Sequence, residues 1–253
     1  DVPLGAFLSG GLDSSTIVAL MKRNSSKTIK TFTMGFSNKD YDETKKAKRI
    51  SQLFGTEHYD FIVTDSEISN IFDDLGYVWD EPFSDVSQVP TLLLSKITRN
   101  QVKVALSGDG GDELFCGYNR YLRGLDFFNN PNIKLIDFFN KKIYLKDLLL
   151  KISKESNYEK IDKFFHCLRS KNIVEYYKNV VRIFEEDDPI FFKNIETKGD
   201  VNFDLIKLNN IEDEEKLMYF DLRQYIPDDL MTKVDRASMH FGLETRSPFL
   251  DHE

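Results

Sequence analysis

Between Val2 and Gly108 the chain keeps switching hydrophobic period, and that rhythm limits its fold more than any other feature. Val2–Leu8 is a short apolar run with the look of a buried strand, and Asp13–Arg23 has the spacing of the helix after it. Thr28–Phe36 ("TIKTFTMGF") predicts a second strand. Tyr41–Phe54 then predicts a helix with Ala47, Ile50 and Phe54 on one face and Gly55 as its stop. Glu57–Thr64 alternates Tyr59, Phe61 and Val63 as a third strand. Two helical stretches near Ser66–Trp79 and Gln88–Thr98 lead to a fourth strand in "VKVALSG", Val102–Gly108. Strands separated by helices at this spacing predict a parallel α/β sheet flanked by helices. Ligands of such sheets bind at the carboxyl ends of the strands.

Glycine use divides the sequence. Eleven of the 13 glycines lie between Gly5 and Gly124, and from Leu125 to Phe241 only Gly199 remains. The second half is helical by period: Ile161, Phe164, Phe165 and Leu168 repeat at helical spacing, as do Ile173, Tyr177, Val180 and Phe184. These positions predict core. "FEEDDP" near Phe184–Pro189 and "ETKGDVN" near Glu196–Asn202 predict solvated loops. The expected organisation is an α/β core over residues 1–124 and a mainly helical part over 125–253.

A net charge of −8 over 253 residues argues against a protein that lives on nucleic acid or on anionic membrane. No apolar run reaches the roughly 20 residues that span a bilayer, and no signal peptide opens the chain. Cys116 and Cys167 have neither CxxC nor zinc spacing and read as free thiols of a cytoplasmic protein. The chain starts without Met inside its first expected strand and stops at "PFLDHE", so it is read as a segment of a longer protein.

The first stretch with chemistry in it is "FLSGGLDSSTIVAL", Phe7–Leu20. Gly10 and Gly11 allow a sharp turn and close approach to a ligand. The amides opening the next helix, and the hydroxyls of Ser9, Ser14 and Ser15, suit phosphate oxygens. A Walker A loop is excluded, because no GxxxxGK[ST] pattern is present. An aspartate in a phosphate cradle repels its ligand unless a cation sits between them, so Asp13 is expected to bind Mg2+; the alternative is a helix cap. The second stretch, "LSGDGGDELFCGYNRY" from Leu106 to Tyr121, repeats the logic. After a buried strand come Ser107, Gly108, Asp109, two glycines, Asp112 and Glu113. Three carboxylates in five residues there are costly without cations or proton chemistry. Two such turns at strand ends of one sheet predict a shared Mg2+–phosphate site.

A third segment, "LMTKVDRASMHFGLETRSPFLD" over Leu230–Asp251, carries Lys233, Asp235, Arg236, Glu244, Arg246 and Asp251. They either bind substrate carboxylates or form an ion-paired scaffold, and alternating charges beside a helix favour the scaffold. Glu81 and Asp85 lie in "DEPFSD", which by itself reads as a helix entry capped by Ser84 or Asp85. The four histidines show no metal spacing.

SGGLDSS resembles the pyrophosphate loop of N-type ATP pyrophosphatases. With LSGDGGDELFCGY and the third segment, the chain resembles, nearly end to end, the synthetase domain of glutamine-hydrolysing asparagine synthetases of the bacterial B type; Asn130–Asp213 is the least marked part. The resemblance implies the sheet of an adenine-nucleotide α-hydrolase-like (PP-loop) fold. It further implies that Ser9, Gly10, Gly11, Asp13, Ser14 and Ser15 hold the leaving pyrophosphate and that Asp13 and Asp112 bind Mg2+. Leu8, Met34, Ser107 and Gly108 match adenosine-contacting positions. Asp109 matches an acidic position that serves formation and use of the acyl-adenylate, where many relatives carry the longer glutamate. Glu81, Asp85, Glu113, Lys233, Asp235, Arg236, Glu244 and Arg246 fall near the substrate or in its scaffold.

The implied reaction is that of a carbon–nitrogen ligase with glutamine as amido donor. ATP and aspartate give β-aspartyl-AMP and pyrophosphate, and ammonia delivered from a glutaminase domain then displaces AMP. A homodimer of the full-length protein is compatible with this. The family's glutaminase domain and a catalytic lysine beyond "PFLD" lie outside these 253 residues, so the segment alone is expected to be weak or inactive. The rival readings are a relative that adenylates another carboxylate, of surface-polysaccharide or β-lactam type, and an ATP-binding module without turnover.

Overall fold

A computed structural model describes residues 2–36, 42–133, 135–136, 145–154, 157–182 and 211–252. Contacts group the chain into two units, Asp1–Phe115 with Leu222–Glu253, and Cys116–Asp221.

The first unit is built on a five-stranded sheet with every neighbouring pair parallel, as the alternating periods predict. Its strands are β1 (Leu4–Phe7), β2 (Lys30–Phe36), β3 (Glu57–Val63), β4 (Val104–Leu106) and β5 (Glu244–Arg246), in the order β3-β2-β1-β4-β5. Between them run α1 (Leu12–Asn24), α2 (Thr44–Phe54), α3 (Asp65–Phe72), α4 (Leu75–Trp79), α5 (Gln88–Arg99) and α6 (Gly111–Phe115). Gly55 ends α2 in the left-handed conformation, where a side chain would be strained. Tyr41, at the expected start of that helix, lies outside the described residues.

Successive strand residues face opposite sides. Ala6 and Leu8 pack with Ile17, Val18 and Met21 of α1, while Phe7 packs with Phe32 and Leu243. Trp79, Leu92 and Leu93 form a further core with Met34. The inner strands are thus covered on both faces, which is why β1 and β4 are apolar along their length, whereas β3 at one edge alternates.

Residues 222–253, in the half expected to be helical, contribute to this sheet unit. A π-helix, Asp221–Leu230, contains Pro227 and continues into the next α-helix of this unit, Met231–His240, which leads through Gly242 to β5. β5 is an addition to the four expected strands. Its Glu244 and Arg246 are exposed and paired with each other, so an edge strand here carries charge instead of the apolar run that marks the buried ones. No helix among the described residues is long and apolar enough to cross a membrane.

The second unit contains helices α7 (Asn119–Asn129), α8 (Leu145–Ile152), α9 (Tyr158–Leu168), α10 (Ile173–Val181) and α11 (Asp213–Phe220); Met231–His240 is α12. Phe165, Leu168, Ile173 and Tyr177 are buried as their spacing predicts, and Ile161, Phe164 and Val180 are partly buried. Phe184 and both expected polar loops lie outside the described residues. The core centres on an ion: Asp221, 0% exposed, accepts from Arg120 Nη2 at 2.6 Å, Tyr121 OH at 2.6 Å and Tyr177 OH at 2.8 Å. Burial, then the Asp221 carboxylate, pushes both tyrosines well above the usual phenol range. Burial alone would lower Arg120, but Asp221 outweighs it and raises the guanidinium.

Two predictions come from these interiors. Removing the acceptor leaves a cation and two hydroxyls buried without it, so Asp221→Ala should cost about 3 kcal/mol of unfolding free energy in urea titrations. His58, on β3, has Nδ1 2.9 Å from Thr31 Oγ1, and its Nε2 is buried without a hydrogen-bond partner. Burial lowers its pKa, with Asp60 opposing and Lys48 assisting. The fold therefore favours the neutral ring. Its contribution is complete above the unfolded histidine value of about 6.5 and is lost as pH falls below it. Urea midpoints measured from about pH 8 to about pH 5 should fall, and His58→Gln should reduce that slope.

Candidate active site

Strand order creates the site. From β1 the chain moves through β2 and β3 on one side, then returns to place β4 on the other side of β1. Ala6 is level with Leu106, so the turns after β1 and β4 leave neighbouring strand ends side by side. Such a reversal opens a crevice at the carboxyl edge.

Both turns depend on left-handed glycines, Gly10 at φ 79° and Gly110 at φ 91°. Contact between the turns depends on two others. A Cβ on Gly108 would stand 2.8 Å from the Ser14 amide nitrogen, and one on Gly111 would stand 2.4 Å from Asp13 Cγ. The Asp13 carboxylate therefore lies against the start of α6, as close as a residue without a side chain allows. Within the first turn, Gly11 N donates to Ser9 Oγ at 3.2 Å, Ser9 N donates to Ser14 Oγ at 3.2 Å, and the two hydroxyls are 3.0 Å apart. Ser15 Oγ is buried without a hydrogen-bond partner. That orphan hydroxyl near the opening of α1 is the kind of group an anionic ligand would satisfy.

The electrostatics of the two turns are unfavourable by themselves. Burial raises the Asp13 carboxyl above the ordinary aspartate value, and the Asp112 charge raises it further. Asp109 is also raised, by burial, against the opposing pull of a hydrogen bond from Ser107 Oγ and the charge of Lys233. Glu113 is 1% exposed. Among the described residues no group of three or more His, Cys, Asp or Glu side chains could hold a metal ion. Two carboxylates that repel each other, beside a turn rich in glycine and serine, fit Mg2+, which is bound through one or two carboxylates, water and substrate phosphates rather than by a protein cage.

The remaining expected site residues divide. Leu8 has its side chain in the core, and its backbone N bonds Phe32 O at 2.9 Å while its carbonyl accepts from Thr33 Oγ1. Met34 is buried one strand away, on β2. Lys233, 5% exposed, donates to Asp85 Oδ2, and Asp85 Oδ1 accepts from Ser87 N and Oγ, both at 2.7 Å. Arg236 reaches the Trp79 carbonyl and Asp80, and Arg246 reaches Glu244. Of these pairs, Lys233–Asp85 is buried, whereas those of Arg236 and Arg246 are largely exposed. Glu81 is exposed, and Asp235 lines a cavity of about 630 Å³ with Met231, Thr245 and Asp251. A larger groove of about 1050 Å³ opens beside the other ends of β1 and β2, against Leu4, Leu20 and Ile29.

The sequence profile of the family described as asparagine synthase matches residues 1–253. A Methanocaldococcus jannaschii protein assigned as asparagine synthetase (glutamine-hydrolyzing) 2 is 37% identical over 245 residues, covering 94% of this chain and 45% of its own. Asparagine synthetase (glutamine-hydrolyzing) 1 of Bacillus subtilis is 30% identical over 264 residues, covering 99% of this chain and 39% of its own. The chain thus spans less than half the length of these curated relatives. A solved NH3-dependent NAD synthetase of Campylobacter jejuni is 15% identical over 72% of this chain and 90% of that one, with a TM-score of 0.32, too slight a likeness to carry an argument.

The raised Asp13 carboxyl gives a prediction of opposed signs. Its folded-state pKa lies above the unfolded value, so at neutral pH its charge lowers stability. Asp13→Asn should raise the melting temperature of the ligand-free protein while weakening magnesium pyrophosphate binding about tenfold or more by calorimetry.

Proposed function

The chain belongs to the asparagine synthase family, and from that premise we propose that it is the ATP-using synthetase part of a glutamine-dependent ligase that makes asparagine. Its substrates are ATP, aspartate and ammonia, the last delivered from a glutaminase domain. The observation that carries this reading is the Asp13 carboxylate lodged against Gly111, where two glycine turns meet and Asp112 adds a second charge.

The residues divide the work by position. Backbone amides and the hydroxyls of Ser9, Ser14 and Ser15 hold the β- and γ-phosphates, aligning the α-phosphorus for attack by the aspartate side-chain carboxylate. Asp13 and Asp112 would hold Mg2+, which when bound neutralises charge on the departing pyrophosphate. Ser107 and Gly108 border the adenosine. The product of this step is β-aspartyl-AMP. Asp109 then takes a proton from the ammonia adduct as the amide forms and AMP leaves. Burial moves Asp109 upward, toward the range in which a carboxylate can accept a proton at neutral pH. Ser107 donates to the same carboxylate and limits its rotation. Lys233 and Asp85 neutralise one another beneath the site.

Pyrophosphate release by the complete protein, assayed with a panel of carboxylates, tests the proposal. Release with aspartate alone is expected. Release with another carboxylate would move the chain to a surface-polysaccharide or β-lactam type of chemistry, and ATP binding without release would make it a binding module. Asp109→Asn should keep ATP affinity and slow amide formation by about a hundredfold or more. Unchanged turnover would take Asp109 out of the mechanism.

A further inference from the structure

The turn that bears Asp109 and Asp112 is braced from the far end of the sequence. Ser107 N donates to Arg246 O at 2.8 Å, extending the β4–β5 pairing to the strand end. Immediately after β5, residues Pro248–Leu250 form one 3-10 turn, closed by Leu250 N to Ser247 O at 2.9 Å. This short turn places Leu250 directly on Gly110. A Cβ at Gly110 would come within 2.5 Å of Leu250 Cδ2 and 2.6 Å of its Cγ, so the leucine occupies the space a side chain there would need. Phe249 packs edge-on against Phe115, the last residue of α6, with centroids 5.8 Å apart. Three contacts, one backbone and two apolar, thus fall before, within and after the segment Asp109–Asp112.

Gly110 is the weak point of that segment. Its φ of 91° is open to glycine, but glycine is also free to leave it. Nothing in a five-residue helix supplies much rigidity on its own. A carboxylate that must meet a cation held by another turn needs support from its surroundings, because small errors of placement are expensive in such sites.

We propose that Leu250 is a positioning residue for the proposed magnesium–pyrophosphate site: by covering Gly110 it fixes the turn and thereby the carboxylates of Asp109 and Asp112. This rests on the functional reading above and adds to it a residue, Leu250, to which that reading gives no role. The aliphatic side chain matters here for its shape, so methionine should replace it and alanine should not.

The test uses the complete protein with Leu250→Ala, Leu250→Met and, as a core truncation in the other unit, Leu217→Ala. Magnesium pyrophosphate is the calorimetric probe, and amide hydrogen exchange is read at residues 109–113. Leu250→Ala should weaken binding about tenfold and speed exchange at those amides by a similar factor, with Leu250→Met close to the parent protein. Leu217→Ala should lower the melting temperature without either effect. The proposal is overturned if Leu250→Ala leaves both measurements unchanged, or if Leu217→Ala reproduces them. Failure of the unmutated protein to bind magnesium pyrophosphate would remove the functional reading instead, and the exchange data alone would then decide whether Leu250 holds the turn.

Discussion

The site depends on how closely two strand ends can approach. Gly108 and Gly111 bring the turn after β4 against the first turn of α1 at a distance that no β-carbon would permit. Everything else is arranged around that contact. The parallel pairing of β1 with β4 sets the two turns level, and the hydroxyls of Ser9 and Ser14 tie the first turn to its own helix. A larger residue at either glycine would separate the turns, whatever the quality of the remaining core.

That closeness has an electrostatic cost. Burial and the Asp112 charge both disfavour ionisation of Asp13, and Asp109 sits in surroundings that favour its neutral form. The sheet unit treats its buried lysine differently: Lys233 is paired with Asp85, while the more exposed Arg236 reaches the Trp79 carbonyl and Asp80. Paired charges support the fold, whereas carboxylates whose ionisation is disfavoured by burial and by one another are what a functional site characteristically collects.

Much of this was legible in the sequence because burial and turning leave strong signals. β1, β2 and β4 lie in apolar runs, β3 alternates, and the two turns announce themselves by glycines set among serines and aspartates. β5 left no such signal: three residues at a sheet edge, two of them charged, do not form a periodic pattern. Glycine use likewise reports turns but is blind to packing partners, so it could not show that residues 222–253 join the sheet. The carboxylate of Asp221 looks like any surface aspartate until three donors from α7 and α10 are seen to converge on it. Leu250 was hidden for the same reason, since a contact with Gly110 depends on tertiary proximity and has no local spacing.

The order of the strands also governs when the crevice can exist. β1 pairs with β4 about 100 residues later in the chain, and β4 with β5 about 140 residues beyond that. Loop closure over such distances is slow compared with forming the β2–β3 neighbours, which are joined through a single short helix. During synthesis the turn after β1 emerges about 100 residues before its counterpart after β4. Its partner in turn lacks its support until residues near 250 leave the ribosome. The two turns therefore face each other in finished form only after β5 and the short turn behind it have joined strands made much earlier.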